Sequence, residues 1–99
     1  MQFAVIGWDA ADDGAHERRA KTRPSHMTSL QAHVERGSIL LGGAMLNDDD
    51  QMIGSIIIAD FPSRADLDAW IEADPYVTEG VWDRIEVQPF RAATGTWLP

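Results

Sequence analysis

The chain has 99 residues, 44% of them hydrophobic and 8% aromatic, which suffices for one modest core and is too short for a second beside it. Against 16 acidic residues stand only 8 basic ones, for a formal charge of −8, so a phosphate backbone or an anionic membrane surface is repelled and neither is an expected partner. With no cysteine, disulfides, thiolate nucleophiles and sulfur-ligated metals are excluded.

The first predicted element is a strand over Phe3 to Trp8, a short apolar run closed by the turn-forming "DAADDG". No basic segment precedes it, so it reads as a strand and not as a secretion signal, and no run is long enough to span a bilayer. The expected setting is the cytoplasm. From His16 to Lys21 the chain is polar and helix-tolerant. Pro24 interrupts that stretch and suits the first turn of a new helix, where its missing N–H has no partner to lose. This helix places Met27, Leu30 and Val34 on one face and stops at Gly37.

Two further apolar runs, Ser38 to Leu46 and Met52 to Phe61, flank the polar loop "NDDDQ" and form a hairpin. Pro62 and Ser63 then open a second helix, with Ser63 as N-cap, Asp66 favouring the positive helix end, and Leu67, Trp70 and Ile71 as its buried stripe. "ADPYVTEG" ends that helix in a turn or short helical crossing. The last strand, Trp82 to Phe90, alternates, with Ile85 and Val87 on one face and Arg84, Glu86 and Gln88 on the other.

The order strand, helix, strand, strand, helix, strand is the split βαβ arrangement of an α+β domain: a four-stranded antiparallel sheet with both helices on one face. One domain over 1–99 is expected. "SILLGGAML" and "GSIIIADF" are apolar at consecutive positions, so both faces of those strands need cover, and two helices supply only one. A second copy is the simplest cover for the other, which predicts a homodimer packed sheet to sheet.

Among residues that can carry chemistry, His26 falls on the opening turn of the predicted helix, about 70° from the centre of its apolar stripe on a 100° wheel. That border position can be a pocket wall, or simply a histidine that packs its ring and bonds a backbone carbonyl. Arg18, Arg19, Lys21 and Arg23, half of all the basic residues, crowd the six positions before Pro24. They form either a solvated helix face or a positive rim that draws a small anion towards His26, aided by the N–H groups of the helix start. Asp74 precedes Pro75 and is forced out of the α conformation. A carboxylate there either caps its own turn or reaches His26, where it would fix the imidazole tautomer and leave the other nitrogen free to move protons.

Ser55 has no nucleophile-elbow context, although its hydroxyl can bond a ligand. His16 and His33 make no metal spacing with His26, "NDDDQ" lacks the pattern of a calcium loop, and no metal or other cofactor is expected. Gly42, Gly43 and Gly54, inside strands, point to a bulge or close packing, and Trp8, Trp70, Trp82 and Trp97 to core or interface.

"RPSH", "LLGGAM", "GSIIIADF" and above all "WIEADPYVTEGVWDRIEVQPFR" together resemble the YciI-like (YCII-related) family, in the same order from Met1 to about Arg91. The resemblance implies a ferredoxin-like fold of the dimeric α/β-barrel type and an active site built on a histidine and an aspartate, which match His26 and Asp74. Many members have a proline where this chain has Ala44, and residues 92–99 extend beyond the likeness, with Trp97 and Leu98 available to fold over a neighbouring subunit. One branch of the family removes chloride from a hydroxylated aromatic ring. Two readings follow: a cofactor-independent enzyme of the lyase or isomerase kind, acting on a small anionic or phenolic molecule through His26 and Asp74 with Arg23 and Ser55 holding the substrate; or a metabolite-binding module in which the same pair is structural.

Overall fold

The protein's structure, a computed structural model, describes residues 1–95. Strand β1 (Gln2–Asp9) leads into helix α1 (Ala15–Arg36), the hairpin β2 (Ile39–Leu46) and β3 (Met52–Asp60), helix α2 (Arg64–Ala73), the single turn α3 (Pro75–Thr78) and strand β4 (Trp82–Phe90). The strands lie in the order β2-β3-β1-β4, every neighbouring pair antiparallel. This is the expected split βαβ arrangement, and it brings β1 and β3 together at the centre of the sheet.

Alternation along the strands divides the sheet into two unlike faces. Phe3 and Val5 of β1 and Ile57 and Ala59 of β3 are almost fully buried against the helices, with Leu67, Trp70 and Ile71 of α2 closing the core. Leu41 (51% exposed) and Ile56 (44%) lie on the opposite face, where β1 sets Ile6 opposite Ile56. Helix α2 begins as its sequence predicts: Ser63 accepts from the Asp66 N–H at 3.2 Å and donates to the Asp66 carboxylate at 3.0 Å, a reciprocal cap.

The first helix departs from expectation. It does not start at Pro24 but runs unbroken for 22 residues with Pro24 inside it. An interior proline loses one intrahelical bond and costs about 3 kcal/mol. Here the turns before it are anchored from outside. Arg18 grips Asp12 through two bonds of 2.7 and 3.0 Å, Arg19 is held by Asp9, and the proline ring faces solvent.

The buried face of α1 is correspondingly different. It consists of Ala15, Arg19, Thr22, His26 and Leu30, at spacings of four, three, four and four, as a helix requires. Met27 and Val34 of the expected stripe are 44% and 46% exposed. His26 therefore lies in the middle of the buried face, 3% exposed, and not at its border. It is also three turns from the helix start at Ala15, too far for the terminal N–H groups to act on it, because that influence fades within the first turn. The helix does end at Gly37, whose φ of 80° suits glycine and whose N–H bonds the Val34 carbonyl at 3.1 Å.

Candidate active site

Asp74 sits between α2 and α3 with φ −69° and ψ 137°, the extended conformation its following proline imposes. Its Oδ2 accepts the Tyr76 N–H at 2.9 Å, which caps the short turn α3. The same oxygen lies 2.7 Å from His26 Nδ1. Both roles foreseen for this carboxylate, turn cap and histidine partner, thus fall on one atom. Because the carboxylate accepts the Nδ1 proton, the neutral ring carries its lone pair on Nε2.

The ring plane is fixed as firmly as its tautomer. Tyr76 stacks on His26 with centroids 3.7 Å apart and planes 8° from parallel, while Trp82 meets it edge-on at 5.7 Å. Among the described residues Nε2 has no hydrogen-bond partner, and it is not among the polar atoms sealed from solvent. It is left to face the hollow beside it, of about 110 Å³, whose walls include His26, Arg19, Arg23, Ser55, Tyr76 and the Gly42-Gly43-Ala44 stretch of β2.

A buried ion pair forms the other wall. Arg19 NH1 bonds both oxygens of Asp9 at 2.8 and 3.0 Å, and NH2 donates to Ser55 Oγ at 3.0 Å. The Trp82 indole N–H reaches the same hydroxyl at 3.2 Å. It can do so because Trp82 lies across Gly7 of β1, where a Cβ would come 2.5 Å from the indole. Ser55 is therefore held as an acceptor by two donors, and its own proton is left to donate. Burial, only partly countered by Arg19, raises the Asp9 carboxyl above the usual carboxylate range.

The basic cluster before Pro24 is thus divided, and forms neither the shared solvated face nor the single positive rim that the sequence left open. Arg18 holds Asp12, whose carboxyl it draws down to about 2. Arg19 is spent on Asp9 and Ser55 inside the fold. Lys21 lines a different groove with Arg18, Pro75 and Glu79. Arg23 alone stands exposed at the mouth of the hollow, with no ion pair among the described residues.

All four residues singled out from sequence, His26, Asp74, Arg23 and Ser55, converge on this one place; Asp74 does so from behind His26 and does not line the hollow. Missed were Arg19, Asp9, Tyr76 and Trp82. The recurrence of Arg19, Thr22 and His26 at helical spacing with Leu30 was a usable signal, hidden by the assumption that a buried stripe must be apolar. A larger hollow of about 260 Å³ opens on the far side of Asp9, against Asp12, His16 and Ile53. Its two carboxylates are already paired, Asp9 with Arg19 and Asp12 with Arg18, whereas the His26 ring, backed by Asp74, lines the smaller one. Among the described residues no three of His, Asp and Glu come together to hold a metal ion, and no helix is long and apolar enough to cross a membrane.

The profile of the YCII-related domain family matches residues 1–91. The chain belongs to this family. Protein YciI of Escherichia coli O6:H1 is 35% identical over 97 residues, covering 92% of this chain and 97% of its own. Among solved structures, the 5-chloro-2-hydroxyhydroquinone dehydrochlorinase TftG of Burkholderia phenoliruptrix AC1100, in complex with 2,5-dihydroxybenzoquinone, superposes with a TM-score of 0.81 at 23% identity, covering 94% of this chain and 96% of its own. A dimeric ferredoxin-like protein of unknown function from Jannaschia sp. CCS1 gives 0.51 at 14% identity, covering 92% and 98%. The fold of this chain is accordingly ferredoxin-like. Trp97 and Leu98, available from the sequence to fold over a neighbouring subunit, lie outside the described residues.

Proposed function

We propose that this chain is a cofactor-independent enzyme that moves a proton on a small anionic or phenolic molecule, in an elimination or isomerisation. The observation that carries the reading is the 2.7 Å contact between His26 Nδ1 and Asp74 Oδ2 beside a hollow that His26 itself lines. In this reading His26 Nε2 takes a proton from the substrate, while Asp74 holds the ring in the tautomer that makes Nε2 basic. In an isomerisation His26 returns that proton at another atom; in an elimination the leaving group departs with the bonding electron pair as an anion and the proton passes to water. Ser55 donates to a substrate oxygen, and Arg23 draws the anion to the mouth. A hollow of about 110 Å³ sets the scale of the substrate at a single small ring. A likeness in fold to a dehydrochlorinase acting on a chlorinated hydroxyhydroquinone supports the substrate class.

The proposal includes a homodimer, since Leu41 and Ile56 lie exposed on the sheet face away from the helices and one solved protein of this fold is described as dimeric; sedimentation of the purified chain as a monomer would remove that part. It also includes a cytoplasmic setting, which a chain without cysteine suits, and which fractionation of the source cells tests.

The deciding experiment is turnover of 5-chloro-2-hydroxyhydroquinone and a panel of small phenols and organic acids, by the wild-type chain and by His26→Asn. Loss of turnover by at least about 100-fold in a variant that still melts cooperatively is the expected result. Equal turnover by both would end the catalytic role, and binding without turnover in the wild type would make the dyad a structural feature of a metabolite-binding module.

A further inference from the structure

Tyr76 is the only tyrosine in the chain and, at 1% exposure, one of its most deeply buried large side chains. Its ring is engaged by His26, stacked at 3.7 Å, and by Arg19, whose guanidinium carbon lies over the ring 4.9 Å from the centroid. These two contacts come from one helix, seven residues apart, so that Tyr76 packs against α1 with a charged group towards one end and the candidate base towards the other. For packing alone, phenylalanine would serve as well.

The hydroxyl distinguishes the two. Buried tyrosine hydroxyls ordinarily find a partner. Among the described residues this one makes no hydrogen bond, yet it is not among the sealed polar atoms that include Arg19 Nε and Asp74 Oδ1. What little of Tyr76 is accessible therefore includes its oxygen, and the hollow that Tyr76 lines is the one beside His26. The charges acting on the phenol also have a consistent arrangement. Burial raises its pKa most, Arg19 and Arg23 pull it down, and the carboxylates of Asp9 and Asp74 push it up. The phenol stays protonated at neutral pH, a donor in the field of two guanidinium groups.

We infer that Tyr76 contacts the ligand: its hydroxyl donates a hydrogen bond to an ionised oxygen of the molecule in the hollow, beside Arg23, and selects for ligands that carry such an oxygen. This deepens the proposed function and rests on the same hollow, but it does not need His26 to transfer a proton. A neutral ring of equal size leaves the hydroxyl without an acceptor and gains nothing from Arg23. A charge-assisted bond is stronger than a neutral one, so the preference shows as affinity.

The test uses 2,5-dihydroxybenzoquinone, which ionises, and 2,5-dimethoxybenzoquinone, which has the same ring and cannot. Wild-type chain and Tyr76→Phe are compared by calorimetry, with the Cζ carbon resonance of the single tyrosine followed by NMR. The expected result is roughly tenfold weaker binding of the dihydroxy compound to Tyr76→Phe, equivalent to about 1.4 kcal/mol, with the weak binding of the dimethoxy compound unchanged. In the wild type the dihydroxy compound should also raise the apparent pKa of Tyr76, because a neighbouring anion disfavours phenolate. Equal affinity of the two proteins for the dihydroxy compound overturns the assignment, as does its failure to bind the wild type or to move the Tyr76 titration. None of these outcomes touches the His26→Asn comparison of turnover, so the two proposals fail separately. Since Tyr76→Phe keeps the ring and its stacking, a cooperative melt at or near the wild-type temperature is expected and shows that any loss of affinity is not loss of fold.

Discussion

Of the three histidines on helix α1, His26 and His33 stand seven residues apart, and their surroundings differ in the respects that matter for chemistry. His26 has a carboxylate on Nδ1 at 2.7 Å, a stacked tyrosine and a hollow at its free edge. His33, further along the helix, meets the rings of Phe61 and Trp70, each with centroids 5.9 Å away, at the edge of a separate groove. Its Nδ1 is sealed from solvent with no partner. Desolvation, with Arg36 adding to it, lowers the pKa of His33 below the usual 6.5, while Asp74 weakly opposes. Burial by itself produces a neutral, idle imidazole. A partner on one nitrogen and space at the other produce a candidate base.

The largest way to break this contrast is to remove the partner. In Asp74→Ala the His26 Nδ1–H and the Tyr76 N–H both lose their acceptor inside the fold, and α3 loses its cap. Each buried donor left unmade costs about 1–3 kcal/mol, so a loss near 3 kcal/mol is expected in chemical denaturation. His26 would then resemble His33 in having no partner on Nδ1. A loss below about 1 kcal/mol would mean that solvent reaches the dyad and that the two histidines do not differ as the geometry says.

A second, somewhat smaller effect sharpens the contrast at the far wall of the hollow. Arg19→Met keeps most of the side-chain volume but leaves the Asp9 carboxylate, whose side chain is 7% exposed, without its cation. Breaking one side of such a pair costs about 3 kcal/mol when the remaining group stays charged; here the cost is about 2 kcal/mol, because Asp9 can escape by protonation. The sign of the pH dependence follows. A carboxyl whose folded pKa is raised, and raised further in the variant, binds more protons folded than unfolded. Its contribution is thus present at low pH and lost as pH rises through the folded value. Denaturation of Arg19→Met should show a smaller deficit at pH 5 than at pH 7, and a deficit that does not change with pH would show Asp9 to be solvated.

The same contrast explains what the sequence disclosed. The strands and the second helix with its Ser63 cap were legible because they rest on local rules, alternation and capping. The residues alone left Asp74 open between capping its own turn and reaching His26, and only the family resemblance implied the pair. The extent of α1 was not legible, because Pro24 is a local signal and the restraints that override it, Asp9 and Asp12 on Arg19 and Arg18, lie outside the helix. Arg19, despite its helical spacing from His26, and Tyr76 were overlooked for a related reason. A buried arginine is a poor guess until its carboxylate is known, and only the fold brings β1, β3 and α1 to one point. His33 and His26 look alike in the sequence; what separates them is 2.7 Å to an oxygen 48 residues away.

The smallest predicted effect isolates the idle histidine. Because the folded pKa of His33 lies below 6.5, the unfolded chain binds more protons than the folded one in the window beneath that value. Stability is therefore full above pH 6.5 and declines as pH falls towards the folded pKa. His33→Leu removes the titrating group and the unpartnered Nδ1 while retaining an apolar contact with Phe61 and Trp70. We expect the variant to be at least as stable as wild type at pH 7, and to lose less stability than wild type between pH 7 and 5.5, by something under about 1 kcal/mol. Urea titrations at the two pH values read this directly. If wild type and His33→Leu decline in parallel, His33 protonates as freely in the folded chain as in the unfolded one, and enclosure among aromatic rings would no longer be sufficient to account for the difference between the two imidazoles.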